Sequence, residues 1–255
     1  MNIGKLYDQS VAGTYDRDER GLLTGARALA FEHIRTAVPA PAVRSILDLA
    51  VGTGESLVAM RGLFPQASLS GIDLSEEMLR IAATKLPFTA IHDDVGNTER
   101  HFAPASTDLL LMHFLTTFID GADIVARTAR LLPPGGHYSI VGSTLEAFPR
   151  ISLLARMLLG DDFIREKNPA PADAETIVSF LTKAGLEIVS VERFIKAVAF
   201  QSFEELIEFG MTSGFFAHVI SHLDEAQLAA LARVEGVFPL ADHYCACAVL
   251  ARRPA

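Results

Sequence analysis

The sequence predicts an α/β protein, a doubly wound sheet of about seven strands, mostly parallel with an antiparallel last strand, covered by a helical lid. Three observations predict it. Short β-rich runs alternate with helical stretches from Val43 to Gly142. A turn bearing two glycines joins the first buried run directly to a helix. The run Asp108 to His113 is apolar between its end residues, as a strand covered on both faces must be.

The elements follow in order. Val43 to Ala50 reads as the first strand, and Glu55 to Phe64 as the helix after the turn. Ser68 to Asp73 is the second strand. Ser75 then caps a helix whose first turn carries Glu76 and Glu77, where the helix dipole favours acids. Thr89 to His92 is a short third strand and Asp108 to His113 the fourth. A helix from Asp123 to Leu132 is stopped by Pro133-Pro134-Gly135-Gly136, and His137 to Gly142 is the fifth strand. Beyond it come helical pieces at Ile151 to Leu159 and Asp173 to Ala184, a strand at Leu186 to Phe194, helices at Ser202 to Met211 and Asp224 to Val234, and a last strand at His243 to Ala251. The expected organisation is one domain over 1–255, with a core of about 43–142 and 173–255 and a lid drawn from 1–42, 145–172 and 197–240.

Bulk properties narrow the function. With 22 basic and 31 acidic residues the net charge is −9, whereas a protein that holds nucleic acid by its phosphates needs a cationic surface. Arg252-Arg253 and the scatter Arg150, Arg156, Arg165 and Lys167 are thin, so no nucleic-acid partner is expected. No apolar run reaches the roughly 20 residues of a membrane helix. Met1 to Ser10 carries acid, amide and hydroxyl groups in place of an apolar signal core, so a cytoplasmic location is expected. Cys245 and Cys247 lie two apart, on one side of a strand, and read as buried thiols. His243 would complete an H-x-C-x-C row, and His218 with His222 has helical metal-ligand spacing. No third ligand accompanies that pair and no H-E-x-x-H pattern surrounds it, so no metal is expected.

The chemistry centres on Ile46-Leu47-Asp48-Leu49-Ala50-Val51-Gly52-Thr53-Gly54-Glu55. Gly52 and Gly54 leave room for a ligand against the backbone, where a Cβ would collide. Nineteen residues past Gly54, Asp73 ends the second strand, and an acid there accepts hydrogen bonds from both hydroxyls of a ribose. A dinucleotide site shares this logic, but its third glycine would fall where Leu57 stands. Asp48 and Glu55 also make the turn negative, which suits a ligand carrying an ammonium and a sulfonium better than a pyrophosphate. Asp93-Asp94-Val95 after the third strand offers an acceptor and a backbone donor to an adenine edge.

These motifs, with I-D-L-S at Ile72 to Ser75 and L-L-P-P-G-G at Leu131 to Gly136, resemble the class I S-adenosylmethionine-dependent methyltransferases. The resemblance covers roughly Val43 to Gly142 and continues weakly through Gly185 to Phe194 and Tyr244 to Pro254. It implies a Rossmann-like fold, S-adenosylmethionine as cofactor and methyl transfer as activity. By that resemblance Asp48 and the turn from Ala50 to Gly54 hold the methionine part, and Asp73 takes the ribose. Leu74 and Met78 sandwich the adenine, and Asp94 with the Val95 N–H reads its edge. His113 and Phe114 border the reacting sulfur, and Tyr15 closes over the cofactor. Ala50 stands where the strictest motif has a glycine. His113 is the candidate general base, set against a reading in which it only packs beside the cofactor. Alternatives are a macromolecular methyltransferase, a non-methylating member of the fold, and more distantly an NAD-dependent oxidoreductase. The acceptor is expected to be a small hydrophobic or aromatic molecule, since Phe194, Phe200, Phe203, Phe209, Phe215, Phe216 and Phe238 crowd one stretch of the lid. The oligomeric state stays open, a homodimer included.

Overall fold

The computed structural model describes residues 3–233 and 237–255, with every side chain among them except those of Arg165 and Lys167. The expected helix end at Val234 therefore lies outside the described residues, and so do the side chains of Arg165 and Lys167 in the basic scatter. Seven strands form one sheet in the order β3-β2-β1-β4-β5-β7-β6. They are β1 Ser45–Leu49, β2 Ser68–Asp73, β3 Thr89–His92, β4 Leu109–His113, β5 His137–Ser143, β6 Glu187–Phe200 and β7 Leu240–Arg252. The first five pair in parallel, and β7 runs antiparallel to both β5 and β6.

The helices are α1 Ile3–Leu6, α2 Leu22–Ala37, α3 Glu55–Leu63, α4 Glu76–Lys85, α5 Gly121–Thr128, α6 Pro149–Leu159, α7 Asp161–Lys167, α8 Ala174–Lys183, α9 Phe203–Ser213, α10 Ala217–Ile220 and α11 Glu225–Ala232. Strand alternation distributes the core to both faces. Ile46, Leu109 and Leu111 pack with Ile34 of α2 and with Leu57 and Met60 of α3. Leu47, Leu110 and Met112 point the other way, to Ile124 and Val125 of α5 and Ile177 and Leu181 of α8. All five residues of β4 are buried, as its apolar run predicts.

Side-chain caps set five of the helix starts among the described residues. Ser75 accepts from the Met78 N–H at α4, Asp173 from Thr176 at α8 and Ser202 from Glu205 at α9. Asp224 and Gln227 form a reciprocal capping box at α11. Several boundaries move. Asp120 caps α5, so that helix begins at Gly121 and not at Asp123. β6 continues through Ala197–Phe200, paired with β7 as far as Phe200 opposite Leu240, so the lid insertion opens after the hairpin arm and not at Ala197. The N-terminal expectation is corrected too. Of the stretch 1–42, α2 belongs to the core: its Leu22, Ala26 and Ala30 are buried against β5, β6 and β7. Only the segment before it lies over the strand ends.

No helix among the described residues is long and apolar enough to cross a membrane. Cys245 and Cys247 are both buried free thiols.

Candidate active site

The site lies at the carboxyl ends of β1 and β4, adjacent strands from which the chain departs in opposite directions. Past β1 the backbone turns through three left-handed residues, Ala50 (φ 66°), Gly52 (φ 54°) and Gly54 (φ 85°). The Ala50 and Val51 N–H groups both donate to the Ile72 carbonyl, at 2.9 and 3.1 Å, which ties the turn to β2. The two glycines serve different purposes. A Cβ on Gly52 would meet nothing within 4 Å and would project into open space. A Cβ on Gly54 would stand 2.9 Å from the Cβ of Ala82, so its bareness lets α3 pack on α4. Gly71 has a similar role, since its Cβ would press on Val51 at 2.8 Å.

A cleft of about 240 Å³ opens beside this turn. Ala50, Gly52, Asp73, Leu74, Met78, Asp94, Val95, His113, Phe114 and Tyr15, all expected site residues, line it together. Asp48 lines a small recess continuous with the cleft through Tyr15, Ala50, Gly52, His113 and Phe114. Gly54 is the expected residue whose Cβ direction leads away, toward α4.

Asp73 anchors the cleft by accepting the Gly52 N–H on Oδ2 at 2.8 Å and the Ser75 N–H on Oδ1 at 2.9 Å. Burial raises its pKa, against which these backbone donors pull down. Asp94 Oδ1 accepts the Gly96 N–H at 2.7 Å, which shapes the turn carrying Val95.

Asp48 and Arg27 sit together in the recess. Asp48 is 1% exposed and Arg27 8%, and neither Asp48 Oδ1 nor Arg27 Nε has a hydrogen-bond partner among the described residues. Burial drives the Asp48 carboxyl well above its usual range, with the Arg27 charge opposing and that of Asp73 adding. The Arg27 guanidinium also lies over the ring of Phe114, 5.4 Å from its centroid.

Of the two readings of His113, general base or packing group, the geometry favours the second. Its Nδ1 is bonded to Ser56 Oγ at 2.9 Å and its Nε2 to Ser139 Oγ at 3.0 Å. Burial, with the nearby Arg27 charge, lowers its pKa to about 3. A neutral imidazole with both nitrogens engaged orients the end of β4; it has no free lone pair to offer an acceptor. Phe114 follows in the left-handed region at φ 62°, its N–H bonded to Val141 O at 2.6 Å, and so turns toward the cleft.

The N-terminal segment forms a strap over the cleft, by contacts that sequence reasoning misses except at Tyr15. Asp8 accepts from Ser75 Oγ at 2.5 Å and from the Glu77 N–H at 3.1 Å, at the head of α4. Asp16 accepts from Thr53 Oγ1 in the glycine turn and from Lys85 Nζ at 2.6 Å, while Lys85 also reaches Glu55 at 2.5 Å. Thr14 donates to the Thr212 carbonyl of α9 at 2.8 Å. Thus held, Tyr7 and Tyr15 lie with ring centroids 6.4 Å apart. Burial raises both phenols, that of Tyr15 to about 12, so each stays a neutral donor. Tyr15 alone marks the strap in the sequence; Asp8 and Arg27 carry no local pattern.

Behind the strap lies a second cavity, of about 90 Å³. It shares Tyr7, Tyr15, Phe114 and Phe118 with the cleft, and its far walls come from Phe148, Phe215 and Phe216. Phe148 is the hub of that wall, with the rings of Phe215, Phe216 and Tyr244 at centroid distances of 5.5, 5.1 and 5.4 Å. Ser143 and Thr144 add hydroxyls to the lining, and Ser143 Oγ bonds Tyr244 Oη at 2.9 Å.

A family model described as a methyltransferase domain matches residues 46–136. The demethylmenaquinone methyltransferase of Chlorobaculum parvum is 31% identical over 204 residues, covering 78% of this chain and 80% of its own. The trans-aconitate 2-methyltransferase of Methylobacterium nodulans is 29% identical over 216 residues, 81% of each chain. Among solved structures, the geranyl diphosphate C-methyltransferase from Streptomyces coelicolor, in complex with Mg2+, geranyl-S-thiolodiphosphate and S-adenosyl-L-homocysteine, superposes with a TM-score of 0.58. That likeness, at 13% identity over 99% of this chain and 84% of the other, is one of fold.

Proposed function

Because the chain belongs to the class I S-adenosylmethionine-dependent methyltransferases and uses S-adenosylmethionine as its cofactor, we propose that it methylates a small hydrophobic or aromatic acceptor seated in the aromatic cavity. The observation that carries this reading is the shared wall. Tyr7, Tyr15, Phe114 and Phe118 face both the cleft and the cavity, so two ligands would meet there.

The residues present fit the cofactor. Asp48 Oδ1 and Arg27 Nε are an unmet acceptor and donor in one recess, the complement of an amino acid's ammonium and carboxylate. The open space at Gly52 leaves the turn bare for that moiety. Asp73 offers its remaining lone pairs to the ribose, Leu74 and Met78 flank the adenine, and Asp94 with the Val95 N–H reads its edge. When bound, the cofactor supplies a methyl group on a sulfonium, already a good leaving system.

The chain's own work is positioning and exclusion of water. The strap and the ring cluster on Phe148 enclose the acceptor cavity. Tyr7 and Tyr15, held neutral by burial, donate hydrogen bonds and take no proton. His113 fixes the end of β4 through Ser56 and Ser139.

Incubating the protein with methyl-labelled S-adenosylmethionine and a panel of neutral phenols and quinols tests the proposal. Labelled small product is expected, with stoichiometric S-adenosylhomocysteine. Label carried only by protein or nucleic acid from a cell extract would overturn it.

A further inference from the structure

A third cavity, of about 70 Å³, runs between the lid helices α6, α9, α10 and α11. Its side chains are hydrocarbon throughout, among them Ile151, Leu154 and Ala155 from α6, Phe203 and Ile207 from α9, and Leu231 from α11. Phe216 and Val219 line both this groove and the aromatic cavity. The two spaces meet at α6 as well, where Ser152 faces the cavity and its neighbour Ile151 the groove. A cavity with aromatic walls and hydroxyls near the cofactor thus shares one phenylalanine and one valine of its wall with a purely hydrocarbon groove.

From this shared wall we infer that the methyl acceptor is amphiphilic, with a ring or polar head at the strap and an aliphatic tail that passes Phe216 and Val219 to lie in the groove between α6 and α11. The inference rests on the acceptor position proposed above. Ligand pockets place their few polar groups where orientation is set and leave the remainder apolar, which is the division between the two spaces. A tail in the groove is shielded from water methylene by methylene. Each buried CH₂ contributes about 0.8 kcal/mol, which corresponds to about a fourfold gain in affinity.

The test uses 4-alkylphenols from ethyl to octyl as probes, titrated calorimetrically into the full chain saturated with S-adenosylhomocysteine. Affinity should rise about fourfold per added methylene over the first several carbons and then level off as the groove fills. Ala155→Phe, which places a ring in the groove, should weaken the octyl compound at least tenfold and leave the ethyl compound within twofold. Ala155→Leu should give the same pattern more weakly, and melting curves of both variants check their folding. An affinity independent of chain length overturns the inference, as does failure of every alkylphenol to bind the saturated protein. So does an Ala155→Leu variant, folded like the parent, that binds octylphenol equally well. Failure of S-adenosylhomocysteine itself to bind would overturn the underlying site assignment instead, and the first titration reads that directly.

Discussion

Thr53, in the glycine turn, donates its hydroxyl proton to Asp16 of the N-terminal strap, a bond across 37 positions of sequence. It joins the loop that would carry the methionine moiety to the segment that covers it, and Lys85 reinforces the joint through the second Asp16 oxygen. Loss of this latch should loosen the cover before it loosens the fold. Asp16→Ala is expected to weaken S-adenosylhomocysteine binding by about 1.5 to 3 kcal/mol, the scale of a charge-assisted hydrogen bond. The change should come mainly from faster dissociation in stopped-flow, with the melting temperature nearly unchanged. A parental dissociation rate would show that the strap does not retain the cofactor.

Asp73→Ala should reduce S-adenosylmethionine affinity by about 1.5 to 3 kcal/mol through lost charge-assisted bonds to the ribose. The structure adds a second consequence. The carboxylate also receives the N–H groups of Gly52 and Ser75, so the turn itself loosens and the apo protein should lose about 1 kcal/mol or more of stability. Asp73→Asn keeps an acceptor for one of those groups and should lie between parent and Ala in both measurements. Calorimetric affinity equal to the parent's would remove Asp73 from the ribose site.

The two glycines of the turn should fail in opposite ways. At Gly52 a Cβ enters open space, so Gly52→Ala costs roughly 1 to 2 kcal/mol of left-handed backbone strain and obstructs the ligand. At Gly54 the same change forces Ala82 and α4 aside, and lost stability should precede any loss of binding. Chemical denaturation and calorimetry on the pair of variants separate the two. Equal effects on stability with unimpaired binding by Gly52→Ala would contradict this division.

The part of the site that can be read from sequence is the part built locally. Asp48 lies in β1 with Ala50 and Gly52 just past its end, Asp73 ends β2 with Leu74 to Met78 following, and Asp94 and Val95 follow β3; strand ends in a parallel sheet bring such segments to one edge. The strap residues Asp8 and Asp16, and Arg27 on α2, reach the site by tertiary packing, and isolated charges in a polar stretch carry no periodic signal. α2 reads as lid for a related reason. It precedes the first strand, and only the pairing of β7 between β5 and β6 creates the sheet surface on which Leu22, Ala26 and Ala30 are buried. The choice between the two readings of His113 was likewise not legible, since the serines that occupy its nitrogens, Ser56 and Ser139, stand 57 and 26 positions away.

That arrangement makes His113 a source of acid sensitivity. Its folded-state pKa, about 3, lies below the ordinary histidine value of 6.5. Between those values the unfolded chain binds a proton that the native protein refuses, so stability falls with decreasing pH, by at most about 1.4 kcal/mol per pH unit for one proton. Above pH 6.5 the group contributes no pH dependence. The raised carboxyls of Asp48 and Asp73 act with the opposite sign, losing stability as pH rises through their folded values, but a substitution at position 113 leaves both in place. His113→Asn keeps a polar side chain between the serines and removes the titration. Urea unfolding at pH 6.0 and 5.0 should therefore show the parent losing about 1 kcal/mol more than the variant over that step. In catalysis the same variant should lose cofactor affinity and turnover together, and the loss should not shrink for more acidic acceptors. A sharp fall in kcat with affinity intact, relieved by acidic acceptors, would restore His113 as the base and require Ser56 or Ser139 to release it during turnover.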